Sequence, residues 1–156
     1  YQAQLGTETA EAGKVCIDDV IDLVYSLKQP YRHGKNTAFI MSEKVYQTLR
    51  KTRTASGRLI WNSNIKADGY DTLFGYRVYL SNHLDSTEPG FSLSTYPILF
   101  GDFSFFWIGD RGKRIIKRLT ERYADYGQVG FIATQRVDGK LVRPEAIKVL
   151  KVKETV

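Results

Sequence analysis

The sequence has a single cysteine, one methionine, two histidines and four prolines, and each scarcity removes a class of protein. Cys16 alone excludes an internal disulfide framework and any cysteine-rich zinc site, and it fits a reducing compartment. Four prolines and 13 glycines among 156 residues exclude a collagen, low-complexity disorder and a mucin-like stalk. No apolar run approaches the ~20 residues of a helical membrane span, so no membrane partner is expected. No signal peptide is visible. The chain opens on Tyr1 and its only methionine is Met41, so a fragment or processed form is expected, with any targeting segment lying outside it.

Catalytic groupings are equally scarce. His33 and His83 are far apart, with no second histidine at metal-ligand spacing, and both read as turn or surface residues. Cys16 precedes His33 by 17 residues with no nucleophile motif around either. Gly109-Asp110-Arg111-Gly112-Lys113 resembles a phosphate loop, but it lacks the four residues between glycines and the Ser or Thr after the lysine. A β-turn is the better reading. No acidic ladder forms a calcium loop. Asp18 and Asp22 share a helical face, which a solvated helix start explains better than acid–base chemistry. Neither an enzyme nor a cofactor is expected.

What is present is apolar surface and positive charge. Apolar residues make up 42% of the chain, enough for one domain, or one and a fraction, to bury about 70% of its unfolded surface. The net charge of +6, from 23 Lys and Arg against 17 Asp and Glu, raises nucleic acid or a polyanionic surface as a partner. Ten tyrosines and eight phenylalanines favour broad, partly exposed β surface or interfaces.

Along the chain, residues 1–16 are polar and aperiodic and read as a tail or severed connection. Ile17, Val20, Ile21, Val24 and Leu27 recur at helical spacing, with Asp18 and Asp19 at the start and Pro30 as a stop. Ala38 to Met41 reads as a buried strand, Ser42 as an N-cap, and Val45, Tyr46 and Leu49 as the stripe of a second helix. Short strands follow at Leu59 to Trp61 and Leu73 to Leu80, the latter broken by Gly75. Ser56-Gly57 and Asp68-Gly69 mark turns, and Asn82 to Tyr96 is a polar loop with Pro89-Gly90. Ile98 to Phe100, Phe105 to Ile108 and Arg114 to Leu119 read as strands. Gly130 to Val137 and Leu141 onward form a final pair around Asp138-Gly139, a hairpin signal, extended by Ile147 and Val149. The class is α+β, helices early and strands late.

Two basic clusters remain: Arg50, Lys51, Arg53 and Arg58, then Arg111, Lys113, Arg114, Lys117, Arg118 and Arg122. On a strand, Arg114, Ile116 and Arg118 face one way and Ile115, Lys117 and Leu119 the other. Both faces are mixed, so a charge-protected edge strand or an interface with acidic partners competes well with nucleic-acid binding.

The order of segments carries a resemblance. The helix Asp18 to Val24 is followed by Tyr31-Arg32 and Thr37-Ala38-Phe39-Ile40-Met41-Ser42. Then come Gly57-Arg58-Leu59-Ile60-Trp61, Thr72 to Val78, Ile98-Leu99-Phe100-Gly101-Asp102-Phe103, Arg136-Val137-Asp138-Gly139 and Pro144-Glu145-Ala146-Ile147. From about Ile17 to Leu150 the chain resembles the C-terminal part of major capsid proteins of tailed bacteriophages, the Hong Kong 97-type shell family. The resemblance implies a mixed sheet with flanking helices as an axial domain over 17–103. It also implies return strands over 104–156 that partly form a strand-rich peripheral domain. An N-terminal arm, an extended loop and a long helix are expected upstream, and without them the fragment is expected to stay a monomer or small oligomer.

The implied function is that of a structural subunit in an icosahedral phage or prophage shell that self-assembles around DNA. Its location would be the virion capsid, and the host cytoplasm during assembly. The implied partners are copies of itself in pentameric and hexameric capsomers, packaged DNA by weak non-specific contact, and scaffolding or decoration proteins. A cellular nanocompartment shell and a stand-alone basic nucleic-acid-binding protein stay open as alternatives. Arg58, Trp61, Arg114, Arg118 and Arg136 are the candidate subunit contacts, and Gly75, Gly101 and Gly139 the candidate structural turns or close approaches. Some shells of this family join subunits through a lysine–asparagine isopeptide bond assisted by a glutamate. The corresponding stretch here, Tyr126 to Arg136, contains neither Asn nor Glu, so a non-covalent shell is expected.

Overall fold

The computed structural model describes residues 3–53, 57–59, 61, 71–84 and 96–153. The Asp68-Gly69 turn and the Pro89-Gly90 loop lie outside them. Two compact units are formed: residues 1–105 with 143–156, and residues 106–142.

The first unit is built on a six-stranded sheet in the order β1-β10-β5-β2-β4-β3. Its strands are β1 (Gln4–Glu8), β2 (Thr37–Met41), β3 (Thr72–Leu73), β4 (Tyr76–Leu80), β5 (Ile98–Asp102) and β10 (Ile147–Lys151). The β1–β10 and β2–β4 pairs are parallel and the others antiparallel. Parallel pairing of β2 with β4 requires a crossover, which contains helix α3 (Glu43–Lys51). Helix α1 (Ile17–Ser26) packs against β1 and β10 at the other end of the sheet.

The core follows from side-chain periodicity. Val20, Leu23 and Val24 of α1 and Val45 and Leu49 of α3 join Phe39, Met41, Ile98, Phe100 and Leu150 of the sheet in one buried cluster. Phe39 and Phe100 stack at 4.4 Å, and Tyr76 meets Phe100 edge-on at 5.0 Å. Helix α1 begins where the buried Asp19 carboxylate accepts the backbone N–H of Cys16 at 2.7 Å and of Ala10 at 2.9 Å. Two orphan donors are thereby satisfied by one acid. The helix ends before Pro30, which sits in the first turn of the short α2 (Gln29–Arg32).

Four expectations are corrected. Residues 1–16 are not a tail: Gln4–Glu8 pairs with β10, Thr9 N–H donates to Lys151 O, and Gly13 N–H to Lys153 O. This strand is short, polar and at a sheet edge, so alternation is weak, and its partner lies at the far end of the chain. Leu73 to Leu80 is not one kinked strand but a tight hairpin, with Leu73 paired to Tyr76 and positive φ at both Phe74 (51°) and Gly75 (86°). Leu59 makes only a single bridge, to Arg53. Asp138-Gly139 is not a turn, as it lies within a strand of the second unit. Beyond these four, residues 104–156 divide, with 106–142 in the second unit and 143–156 in the first.

The junction between the units is braced within the first. The 3₁₀ turn Phe103–Phe105 precedes the departing strand and the 3₁₀ turn Pro144–Ala146 follows the returning one. Tyr31 Oη donates to Glu145 Oε1 at 2.7 Å and Lys28 Nζ to Glu145 Oε2 at 2.6 Å. Arg143 donates to Tyr31 Oη at 3.2 Å and lies 5.7 Å over the Phe105 ring, which meets Tyr31 edge-on at 5.4 Å. Hydrogen bonds from Lys28 and Tyr31, with the Lys28 charge, hold the Glu145 carboxyl below its ordinary pKa.

Gly101 is the tightest backbone approach in the sheet: a Cβ there would stand 2.2 Å from Ala146 O and 2.6 Å from Ile147 Cα. Gly101→Ala should therefore cost about 1–3 kcal/mol in urea unfolding. Gly109→Ala, where the added carbon meets only Asp138 O at 3.9 Å, should change little. A depressed Glu145 pKa contributes stability that is present above the ordinary carboxylate range and lost as pH falls through the folded value. Wild type should thus melt above Glu145→Gln near neutrality, and the gap should close below about pH 4; a gap constant with pH would exclude an ionic brace.

Candidate interaction surface

The second unit is a β-ribbon. Strand β6 (Phe106–Asp110) pairs with β9 (Val137–Leu141), and β7 (Ile115–Leu119) with β8 (Gly130–Thr134), both antiparallel. Each ladder has two strands only. Directly opposed residues share a face, so Ile116 and Ala133 lie with Arg118 and Phe131, while Ile115 and Thr134 lie with Lys117 and Ile132. On the other ladder, Ile108 opposes Gly139 and Trp107 opposes Lys140.

Large apolar side chains stand in solvent on both faces: Ile116 is 73% exposed, Phe131 69%, Ile108 72% and Trp107 65%. A two-stranded ribbon is marginal by itself and needs a third strand or a covering layer. Apolar exposure of this extent makes the ribbon the candidate contact surface of the chain. Its charge is lopsided as well. Residues 106–142 carry eight Lys and Arg against four Asp and Glu, so +4 of the chain's net +6 lies here.

The sequence-derived site residues separate into two groups. Arg114, Arg118 and Arg136 all lie on the ribbon and are exposed, Arg118 directly opposite Phe131. Arg58 lies in the first unit, exposed, beside the Leu59 bridge. Trp61 is a correction. It is only 5% exposed, donates from Nε1 to Thr72 O at 3.0 Å and meets Tyr46 edge-on at 5.2 Å, so its side chain belongs to the core. Among the glycines, Gly75 holds the positive-φ turn and Gly101 admits the Pro144–Ala146 turn. Gly139, expected at a hairpin, instead faces the Phe106 ring from mid-strand, where a Cβ would meet Cζ at 2.8 Å. The exposed apolar faces of Trp107, Ile108 and Phe131 were not singled out from sequence; their alternation with Gly109 and Lys117 across two short strands was the available signal.

The chemistry elsewhere is quiet. Burial, then the charges of Asp19, Glu11 and Asp18, push the Cys16 thiol above its usual pKa, the reverse of an activated nucleophile. Among the described residues no three metal-ligating side chains cluster. Tyr46 Oη hydrogen-bonds Asp71, with Arg50 donating to Tyr46 Oη at 2.8 Å, and this set bridges α3 to β3. No described helix is long and apolar enough to cross a membrane.

Comparison with known proteins agrees with this picture. The phage capsid family profile matches residues 2–152. No curated protein matches the sequence at a significant level. Among solved structures, the capsid of an empty GTA particle, computed with C5 symmetry, shares 31% identity at a TM-score of 0.78, over 96% of this chain and 50% of that one. The capsid of the native GTA particle gives the same values. Gordonia phage Cozz matches in fold at a TM-score of 0.62 and 16% identity, over 96% of this chain and 50% of that one. The chain thus spans about half the length of the solved chains it matches. Its α+β architecture is that of the Hong Kong 97-type shell proteins, and the chain belongs to the phage capsid family.

Proposed function

We propose that this chain is part of a structural subunit of an icosahedral phage or prophage capsid, and that its work is contact with copies of itself. The observation that carries this reading is the ribbon over residues 106–142, which exposes Trp107, Ile108, Ile116 and Phe131 on two faces with no covering layer among the described residues. Burying such side chains is worth on the order of 1.5–3 kcal/mol each, which makes a protein partner the natural occupant. Family membership and the likeness to the GTA capsids, both computed with fivefold symmetry, support the same occupant. The first unit, with its closed core, serves as the axial module near a capsomer centre; the ribbon serves as the peripheral module.

The remaining parts of the reading follow. Pentameric and hexameric capsomers are the assembly units, with scaffolding or decoration proteins as further partners. Packaged DNA meets the +6 chain through weak, non-sequence-selective contacts. The role is structural and not catalytic, in the virion shell and in the host cytoplasm during assembly.

Two measurements test this. In the full-length protein, Ile116→Ser with Phe131→Ser should lower particle yield in negative-stain micrographs more than about tenfold, as loss of a central hot spot does. The circular dichroism melt of the first unit should be unchanged; wild-type yield would count against the ribbon as a contact. Denaturing electrophoresis of purified particles should show one monomer band, because Gln128 and Gln135 replace any asparagine between Tyr126 and Arg136. A reductant-insensitive ladder would contradict the non-covalent reading.

A further inference from the structure

The ribbon is not continuous. The last pair of the first ladder is Asp110 with Val137 and the first pair of the second is Ile115 with Thr134. Between them lie four residues on one strand, Arg111 to Arg114, and two on the other, Gln135 and Arg136. This two-residue excess makes an elbow, closed by Arg111 N–H donating to Arg136 O at 2.9 Å and turned by Gly112 at φ 83°. The elbow opens a recess of about 660 Å³ lined by Arg111, Lys113, Ile115, Thr134, Gln135 and Arg136. Arg111, Lys113, Arg114 and Arg136 are all exposed there, and none has an ion-pair partner among the described residues. Of the carboxylates beside it, Asp110 accepts only a long contact of 3.5 Å from Gln135, and Asp138 accepts the N–H of Gly139. Four like charges concentrated by a bulge repel one another until an anion joins them.

A matching anion is carried by the same chain. Asp18 and Asp22 lie one helical turn apart on the exposed side of α1, and neither has a cation partner among the described residues. Like charges at this spacing oppose each other, and a counter-charge relieves them. Beside them, burial first and then the charges of Asp19, Glu11 and Asp18 push the Cys16 thiol upward, against the opposite effect of Lys14. The only cation close in sequence, Lys14, is held by Glu11 at 3.1 Å. Other exposed carboxylates serve less well: Glu121 and Asp125 flank Arg122, Glu43 adjoins Lys44, and Asp138 accepts the N–H of Gly139 at 2.8 Å.

We propose that the elbow of one copy receives the Asp18–Asp22 face of α1 from a neighbouring copy. Arg111, Arg136 and Lys113 take the carboxylates, while Ile115 supplies apolar contact. The two patches differ, so the contact is head-to-tail, the type that closes a ring when the rotation between copies permits it. The occupant is protein and not nucleic acid, because the elbow is flanked on both ladders by exposed Ile108, Ile116 and Phe131, which a phosphate backbone would leave wet.

This inference rests on the shell reading, and a charge swap in the full-length protein separates the two. Arg111→Glu with Arg136→Glu, and separately Asp18→Lys with Asp22→Lys, should each cut particle yield at least tenfold, with the folded signal in circular dichroism kept. The quadruple variant, which restores opposite charges in reverse, should recover yield to within about threefold of wild type. The inference is overturned if either double variant assembles like wild type, or if the quadruple variant fails to recover. It is also overturned if the arginine variant forms normal particles that package less DNA, since the elbow would then serve nucleic acid. Absence of particles from the wild type itself would overturn the shell reading instead.

Discussion

The structure turns on the placement of β10 between β1 and β5. Ile147 to Lys151 pairs antiparallel with β5 on one side and parallel with β1 on the other, so both ends of the chain are tied into a single sheet. That pairing requires the backbone of Ala146 and Ile147 to approach β5 closely, and Gly101 is the residue that lets it. It also makes residues 106–142 an excursion whose two ends must leave and re-enter at one place. The Tyr31, Glu145, Arg143 and Phe105 set braces that place, with Lys28 adding a charge from the end of α1. Fixing both ends of an excursion lowers the entropy its own pairing must overcome.

The two units therefore stand on different physical footing. In the first, helices and sheet cover each other, and Phe39, Phe100, Leu23 and Leu49 lose all contact with water. In the second, backbone hydrogen bonds alone hold two strands together, while side chains on both faces stay exposed. Net hydrogen-bond contributions of about 1 kcal/mol each scarcely offset the backbone entropy of the residues they order. The apolar contribution missing from the ribbon has to come from another surface. The first unit thus covers its own apolar surface, and the described ribbon does not.

How much of this the sequence discloses depends on where each element finds its partner. Helices α1 and α3 are legible, because the repeat of Val20, Leu23 and Val24, or of Val45 and Leu49, is local and strong. Strands β2 and β5 are legible as short apolar runs in a buried position. Strand β1 is not: Gln4 to Glu8 is half polar, and its pairing partner stands more than 140 residues away. Asp138-Gly139 shows the opposite failure. A dipeptide with strong local turn preference is held in extended pairing because Gly109 and Ile108 oppose it across the ladder, and the Phe106 ring fills the space above Gly139. Phe74 is a third case, where the hairpin places a bulky residue at φ 51° that a turn preference would assign to Asn or Gly. For the candidate surface, the basic residues are legible as a cluster, but not the elbow that gathers Arg111, Lys113 and Arg114 with Arg136, since a bulge is a property of two strands at once. Trp61 was misjudged because nothing local reveals that Thr72 O accepts its indole N–H.

The division of labour between apolar and charged groups on the ribbon has a physical logic. Exposed Trp107, Ile116 and Phe131 supply attraction without direction, since burial is indifferent to which apolar surface covers them. A shell built on such contacts alone would join copies in many registers. Arg118 opposite Phe131 and Lys140 opposite Trp107 put a charge beside each aromatic ring, and the elbow adds four more between the ladders. Charges at these positions contribute little net affinity, but a misplaced cation meeting another cation is costly, so they select register and partner orientation. The net +4 of the ribbon then has a consequence for order of events. On the proposed contact, two ribbons repel each other at a distance whereas an acidic helix start attracts, so steering would favour unlike patches before the apolar faces close. Ionic strength, which shortens this reach to about 8 Å near physiological salt, therefore acts on the selectivity of assembly more than on the strength of the finished contact.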